Sequence, residues 1–241
     1  MQVYSNPKKI LIIIATAILV IFAISVYVVN KEQAPTVVKE VVKKQTTTIT
    51  VQEKKERFKA LIVPAVNKVY ATLMEQYEDV KSVLESGQSN DKIDQLKVEY
   101  KASTDEELLM ALKPHPKSIA IAQAAMESSW ATSRFFKEAY NIFGVWSFDA
   151  NEPRIAALKK RENKTIWVRK YKSVEDSVYD YYRTLARGDA FQSFRETKME
   201  TSDPFILVTK LHRYSEKGDA YGEELTAIIK FNKFDSYDSE E

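Results

Sequence analysis

Hydrophobic and polar positions divide this chain into three stretches of different texture. From Ile10 to Val29 runs a 20-residue segment without a charge, interrupted only by Thr16, Ser25 and Tyr27. At about 1.5 Å rise per residue, a helix of that length crosses the roughly 30 Å hydrocarbon core of a bilayer. Lys8 and Lys9 precede it without a nearby acid, which by the positive-inside rule puts residues 1–9 in the cytoplasm and the remainder across the membrane. Ala23-Ile24-Ser25 offers a small-x-small cleavage site for the alternative of a removed secretory signal, but the apolar run continues past it to Val29, which favours an uncleaved anchor. Either reading exports the rest of the chain.

Residues 30–57 alternate valines with Lys39, Glu40, Lys43 and Lys44, then pass through Thr46-Thr47-Thr48. No sustained periodicity appears, so this stretch reads as a polar linker. Beyond it, Ile62, Val66, Val69, Leu73, Tyr77, Val80 and Leu84 recur at three- and four-residue steps, the spacing of one buried helical stripe. Pro64 falls near its start and Gly87 near its end. A weaker helix covers about residues 92–100, and Ser103-Thr104-Asp105-Glu106-Glu107 opens a short one through Leu112, which Pro114 and Pro116 stop. Ile155–Leu158 and Thr165–Tyr171 read as two strands of a hairpin. Ser173 then caps a helix with Asp176 three residues on, and Asp203-Pro204 begins another.

Composition narrows the chemistry. Five glycines in 241 residues are too few for a turn-rich β protein, so the exported domain, residues 58–236, is expected to be mainly α, ahead of an acidic tail at 237–241. The absence of cysteine rules out disulfides, thiolate zinc and a cysteine nucleophile. His115 and His212 stand far apart without metal-ligand spacing and read as structural or surface residues. A net charge of +2 gives no argument for nucleic acid.

The candidate chemistry lies after Pro116. Ile119 to Met126 is apolar except for Gln123, and so rich in alanine that it must be a buried helix. Glu127 stands at its end with no basic residue nearer than Arg134. A carboxylate there loses hydration and titrates high, the condition for a general acid near neutral pH.

Glu127-Ser128-Ser129-Trp130-Ala131-Thr132-Ser133, followed by Asn141-Ile142-Phe143-Gly144, resembles the signature of the glucosaminidase-type cell-wall hydrolases, glycoside hydrolase family 73. The approach from Pro116 to Ala125 and the loop Tyr214-Ser215-Glu216-Lys217-Gly218-Asp219-Ala220-Tyr221 are similar to its bacterial Bax-like branch. The main departure is Ala131, where the family usually has glycine. The resemblance implies a lysozyme-like helical domain with a small β-hairpin lobe. It implies cleavage of the β-1,4 bond after N-acetylglucosamine in peptidoglycan glycan strands, with Glu127 protonating the leaving oxygen.

A second carboxylate normally stands about 5–5.5 Å from the acid for retention, or about 6.5–9.5 Å for inversion. Glu162 in the hairpin turn and Glu216 in the tyrosine loop are candidates, Glu175 a weaker one, and the sugar's own acetamido oxygen is a further alternative. Tyr214 and Tyr221 are expected near Glu127 to orient water or the acetamido group. Trp130, Phe143 and Trp146 can supply flat apolar surfaces for sugar rings and Asn141 an amide, with Trp130 packing against the hairpin and shielding the acid. The expected protein is thus a monomeric single-pass enzyme of the cytoplasmic membrane. Its domain faces the periplasm or cell wall, acts on peptidoglycan and needs no cofactor. Two alternatives stay open: an amidase or peptidase, disfavoured by two isolated histidines without cysteine, and an anchored wall-binding module without turnover.

Overall fold

Thr50 starts the first element of the helical domain. Its hydroxyl accepts from the Glu53 amide at 3.1 Å while the Glu53 carboxylate accepts from the Thr50 amide at 2.8 Å, a reciprocal capping box. Helix α1, Val51–Glu85, therefore begins inside the stretch that the pattern assigns to the linker. Pro64 lies well within it on the exposed face, where water can take the carbonyl that the ring leaves without a donor. The computed structural model describes residues 49–87, 90–161 and 164–239. The apolar segment 10–29, most of the linker and Glu162 lie outside the described residues. Among the described residues no helix is long and apolar enough to cross a membrane.

After α1 come α2 (Asp91–Tyr100), α3 (Asp105–Leu112), α4 (Lys117–Glu127) and α5 (Arg134–Ala139). Strands β1 (Arg154–Arg161) and β2 (Lys164–Arg169) follow, then α6 (Val174–Arg187), α7 (Gln192–Glu200), α8 (Pro204–Leu207) and α9 (Asp219–Asn232). Short 3-10 turns occupy Asp189–Phe191, Val208–Leu211 and Phe234–Asp238. The domain is mainly helical with one two-stranded antiparallel sheet, as the pattern predicts. Ser173 and Asp203 cap α6 and α8 by accepting from the amides of Asp176 and Phe205.

Helix α4 is the centre of the packing. Residues 117–125 are all buried, and their alanines let α1, α9 and the turn Phe234–Asp238 approach closely. Pro116 stands at its N-cap and offers no side-chain acceptor. The missing cap arrives from the far end of the chain: the Asp238 carboxylate accepts from the Ser118 amide at 2.8 Å and from its hydroxyl at 2.5 Å. Residues 237 and 238 thus belong to the fold, not to an acidic tail. Composition alone could not reveal this, because the pairing spans 120 positions.

The hairpin pairs Arg154 with Arg169 and Arg161 with Lys164, with an irregularity between Ala156 and Lys160. It is joined to the helices by Arg169, which meets Asp180 of α6 at 2.9 Å and Glu152 at 3.1 Å. A bridge between Trp146 and Val168 extends the contact.

Replacing Asp238 by alanine should lower the unfolding free energy by about 1–2 kcal/mol, read as a reduced urea midpoint at constant slope. An unchanged midpoint would show the cap to be idle.

Candidate active site

Helix α4 ends at Glu127, and the backbone there turns sharply. Ser129, Trp130 and Ala131 have φ of 52°, 62° and 58°, three successive left-handed residues without a glycine. Such a conformation costs a residue with a Cβ about 1–2 kcal/mol. Ser128 holds it in place. Its buried hydroxyl donates to the Ala124 carbonyl at 2.5 Å and accepts from the Ala131 amide at 2.7 Å. Its carbonyl accepts from the Thr132 and Ser133 amides at 3.1 and 2.9 Å, and Ser133 then caps α5. This turn brings the chain away from Glu127 at once, leaving the carboxylate half-buried at the helix end.

Burial raises the Glu127 carboxyl above its ordinary value. The Tyr221 hydroxyl, donating to Oε1 at 2.9 Å, opposes the rise, as does the charge of Lys217, while Glu224 adds to it. Lys217 and Glu224 are themselves paired at 2.6 Å. Tyr214 stacks on Tyr221 with ring centroids 5.3 Å apart and 15° between planes. Burial and the nearby Glu127 push its phenol upward, so it stays protonated. Both tyrosines are therefore assembled at the acid, as expected.

Three other expected site residues have different duties, while Trp146 stays open. Trp130 does not pack against the hairpin. Its ring meets Phe58 of α1 edge-on at 5.2 Å and Phe234 at 6.2 Å, because the left-handed turn swings it toward the core. Phe143 is 3% exposed and lies flat on Tyr181 at 4.0 Å, so it cannot be a sugar platform. Asn141 is 1% exposed with both amide hydrogens used: Nδ2 donates to the carbonyls of Val145 and Arg169, and Oδ1 accepts from the Val145 amide, each at 2.9 Å. It ties the loop after α5 to strand β2 and is buried away from a ligand. Trp146, at 42% exposure beside Phe148 at 85%, keeps an open apolar face on the β lobe. Glu216 is exposed in the loop ahead of α9, and Glu175 sits in the first turn of α6.

Sequence reasoning passed over Gln123, whose amide donates to the Tyr221 oxygen at 2.8 Å. A lone amide in an otherwise apolar buried helix was the available signal. Among the described residues, no group of three or more His, Asp or Glu side chains is placed to hold a metal.

A protonatable carboxyl half withdrawn from water, with tyrosines around it, has the chemistry to donate a proton. The profile of the Glucosaminidase family (mannosyl-glycoprotein endo-beta-N-acetylglucosaminidase) matches residues 106–234, and the chain belongs to that family. Its helical domain is a glycoside hydrolase domain of the N-acetylglucosaminidase type. Protein bax of Escherichia coli is 26% identical over 171 residues, covering 67% of this chain and 60% of that protein. Exo-glucosaminidase LytG of Bacillus subtilis is 28% identical over 128 residues, covering 50% of this chain and 45% of LytG. The chain thus spans roughly half to three fifths of the length of these curated relatives. Among solved structures, the catalytic domain of the autolysin Auto from Listeria monocytogenes aligns with a TM-score of 0.44 at 21% identity, covering 68% of this chain and 97% of that one. The glycoside hydrolase domain of FlgJ from Salmonella typhimurium aligns with a TM-score of 0.40 at 24% identity, covering 61% of this chain and 89% of that one.

Ala131→Gly should raise stability by about 1 kcal/mol, since glycine adopts the observed φ without strain. A lower urea midpoint would contradict the strain argument. Asn141→Ala, by contrast, should cost about 2 kcal/mol in the same measurement, because the part-buried Val145 amide loses its acceptor and the carbonyls of Val145 and Arg169 lose a donor.

Proposed function

We propose that this domain hydrolyses the β-1,4 bond after N-acetylglucosamine in peptidoglycan glycan strands, with Glu127 as general acid. The reading is carried by one observation: a carboxyl held above its usual range by burial, bonded to Tyr221, at the end of α4. In the protonated state Glu127 gives its proton to the leaving glycosidic oxygen as the bond from that oxygen to the anomeric carbon breaks. Water then bonds to that carbon and loses a proton, which restores the protonated Glu127 directly or through solvent, and a new reducing end is exposed. Trp146 supplies an open apolar surface for a sugar ring. Family membership supports the substrate class, as does the likeness to a relative named as an exo-glucosaminidase.

Residues 10–29 serve in this reading as a signal anchor, leaving the domain on the periplasmic or wall side. With α1 starting at Val51, the tether is about 20 residues long, a root-mean-square reach of roughly 25 Å if flexible. The enzyme would then cut only glycan close to the membrane.

Glu127→Gln keeps the shape and the acceptor for Tyr221 but removes the transferable proton. The variant should release no reducing ends from purified sacculi while remaining folded. Clearing at the parent's rate would overturn the assignment. Stability supplies an independent check. The folded chain binds the Glu127 proton more tightly than the unfolded one, so the contribution is complete below about pH 4.3 and is lost as pH rises through the raised folded value. The glutamine variant escapes that loss. Its melting temperature relative to the parent should climb between pH 4 and pH 8.

A further inference from the structure

The Tyr221 hydroxyl is the last link of a longer series. His115 Nε2 lies 2.9 Å from the Tyr181 hydroxyl, which donates to Gln123 Oε1 at 2.6 Å. Gln123 Nε2 donates to the Tyr221 oxygen at 2.8 Å, and Tyr221 donates to Glu127 Oε1 at 2.9 Å. The members come from the loop before α4 and from α6, α4 and α9, and all but Glu127 are buried.

The inventory of hydrogens gives the series a direction. A phenol has one hydrogen. That of Tyr181 is spent on Gln123, so its oxygen must receive one from His115. The histidine is neutral, because burial and the neighbouring Lys198 charge push its imidazolium well down. It therefore carries one ring hydrogen, and the series requires it on Nε2. With Tyr181 occupying the Gln123 oxygen, the amide must turn its nitrogen to Tyr221. The Tyr221 hydrogen is then left for Glu127. Were the amide reversed, Tyr221 would donate to Gln123, and Glu127 Oε1 would lose its donor.

We propose that this one-way chain of buried hydrogen bonds, starting at His115, fixes the acidic proton of Glu127 on Oε2, the oxygen that Tyr221 does not engage. His115, Tyr181 and Gln123 are on this account positioning residues. The proposal rests on the reading of Glu127 as the general acid and extends it to residues with no place at the substrate. Phe143, stacked on Tyr181, and Tyr182, stacked on the His115 ring at 4.3 Å, hold the far half of the chain in register. The other charged and titratable groups facing it are Lys198 near His115, and Lys217, Glu224 and Tyr214 near Glu127. All remain in every variant tested.

The test is a carbon NMR titration of the Glu127 carboxyl in the folded full chain, assigned by its loss in Glu127→Gln, beside pH profiles of reducing-end release from sacculi. Tyr181→Phe frees Gln123 to turn its oxygen to Tyr221. The Glu127 titration and the basic limb of the activity profile should both move up by about one pH unit, with kcat roughly tenfold lower and KM unchanged. Tyr221→Phe should move the titration equally, and adding Tyr181→Phe to it should move it no further. His115→Phe keeps the ring stack and should follow Tyr181→Phe, reading the same link should that variant fail to fold. His115→Gln restores an N–H donor and should titrate like the parent. Parent-like titration in both Tyr181→Phe and His115→Phe overturns the proposal, as do additive shifts in the double variant. A parent chain that releases no reducing ends would instead sink the hydrolase reading, while the NMR titration still judges the chain.

Discussion

The burial of α4 on every side is the constraint on which the rest depends. A helix made of alanine and isoleucine can be surrounded, and the price is that whatever stands at its last turn is drawn out of water as well. Glu127 stands there. Its raised affinity for a proton needs no special partner, only the loss of hydration that the packing of α1 and α9 against α4 brings. Tyr221 moderates that effect without cancelling it, because one neutral donor stabilises a carboxylate less than bulk water does. The left-handed run after Ser128 belongs to the same constraint. A helix continuing past Glu127 would carry its next turn over the carboxyl, whereas the turn observed sends Trp130 to the core and leaves the acid at a free end.

Local signals in the sequence were legible where a single segment contains its own cause. The stripe from Ile62 to Leu84, the caps at Ser173 and Asp203 and the two strands of the hairpin each depend on neighbours within a few positions, and the structure agrees with them. The Thr50–Glu53 box was equally local, yet the absence of an apolar stripe before Phe58 hid it. Long-range pairings were not legible. Nothing near Pro116 says that Asp238 completes its helix, and nothing near Gln123 says that Tyr181 and Tyr221 will flank its amide.

The aromatic and amide residues beside the Glu127 motif carry a related lesson. Trp130, Asn141 and Phe143 have the chemistry of sugar binding, but a motif can recur in a family because it builds the acid's support as readily as because it touches a ligand. Asn141 joins the helical body to β2, and Phe143 backs Tyr181. Rigid placement of the acid is what these residues provide. The motif is therefore informative about where Glu127 is held and much less so about what it holds.

Glu127 and the tyrosine that tempers it are separated by 94 positions, and the cap of its helix lies later still. During synthesis the ribosome delivers the acid long before the segments that set its environment. A chain emerging in that order carries a solvated glutamate until its last helix docks. Maturation of the acid is thus tied to completion of the polypeptide, and a prematurely terminated product would display the motif without the means to use it.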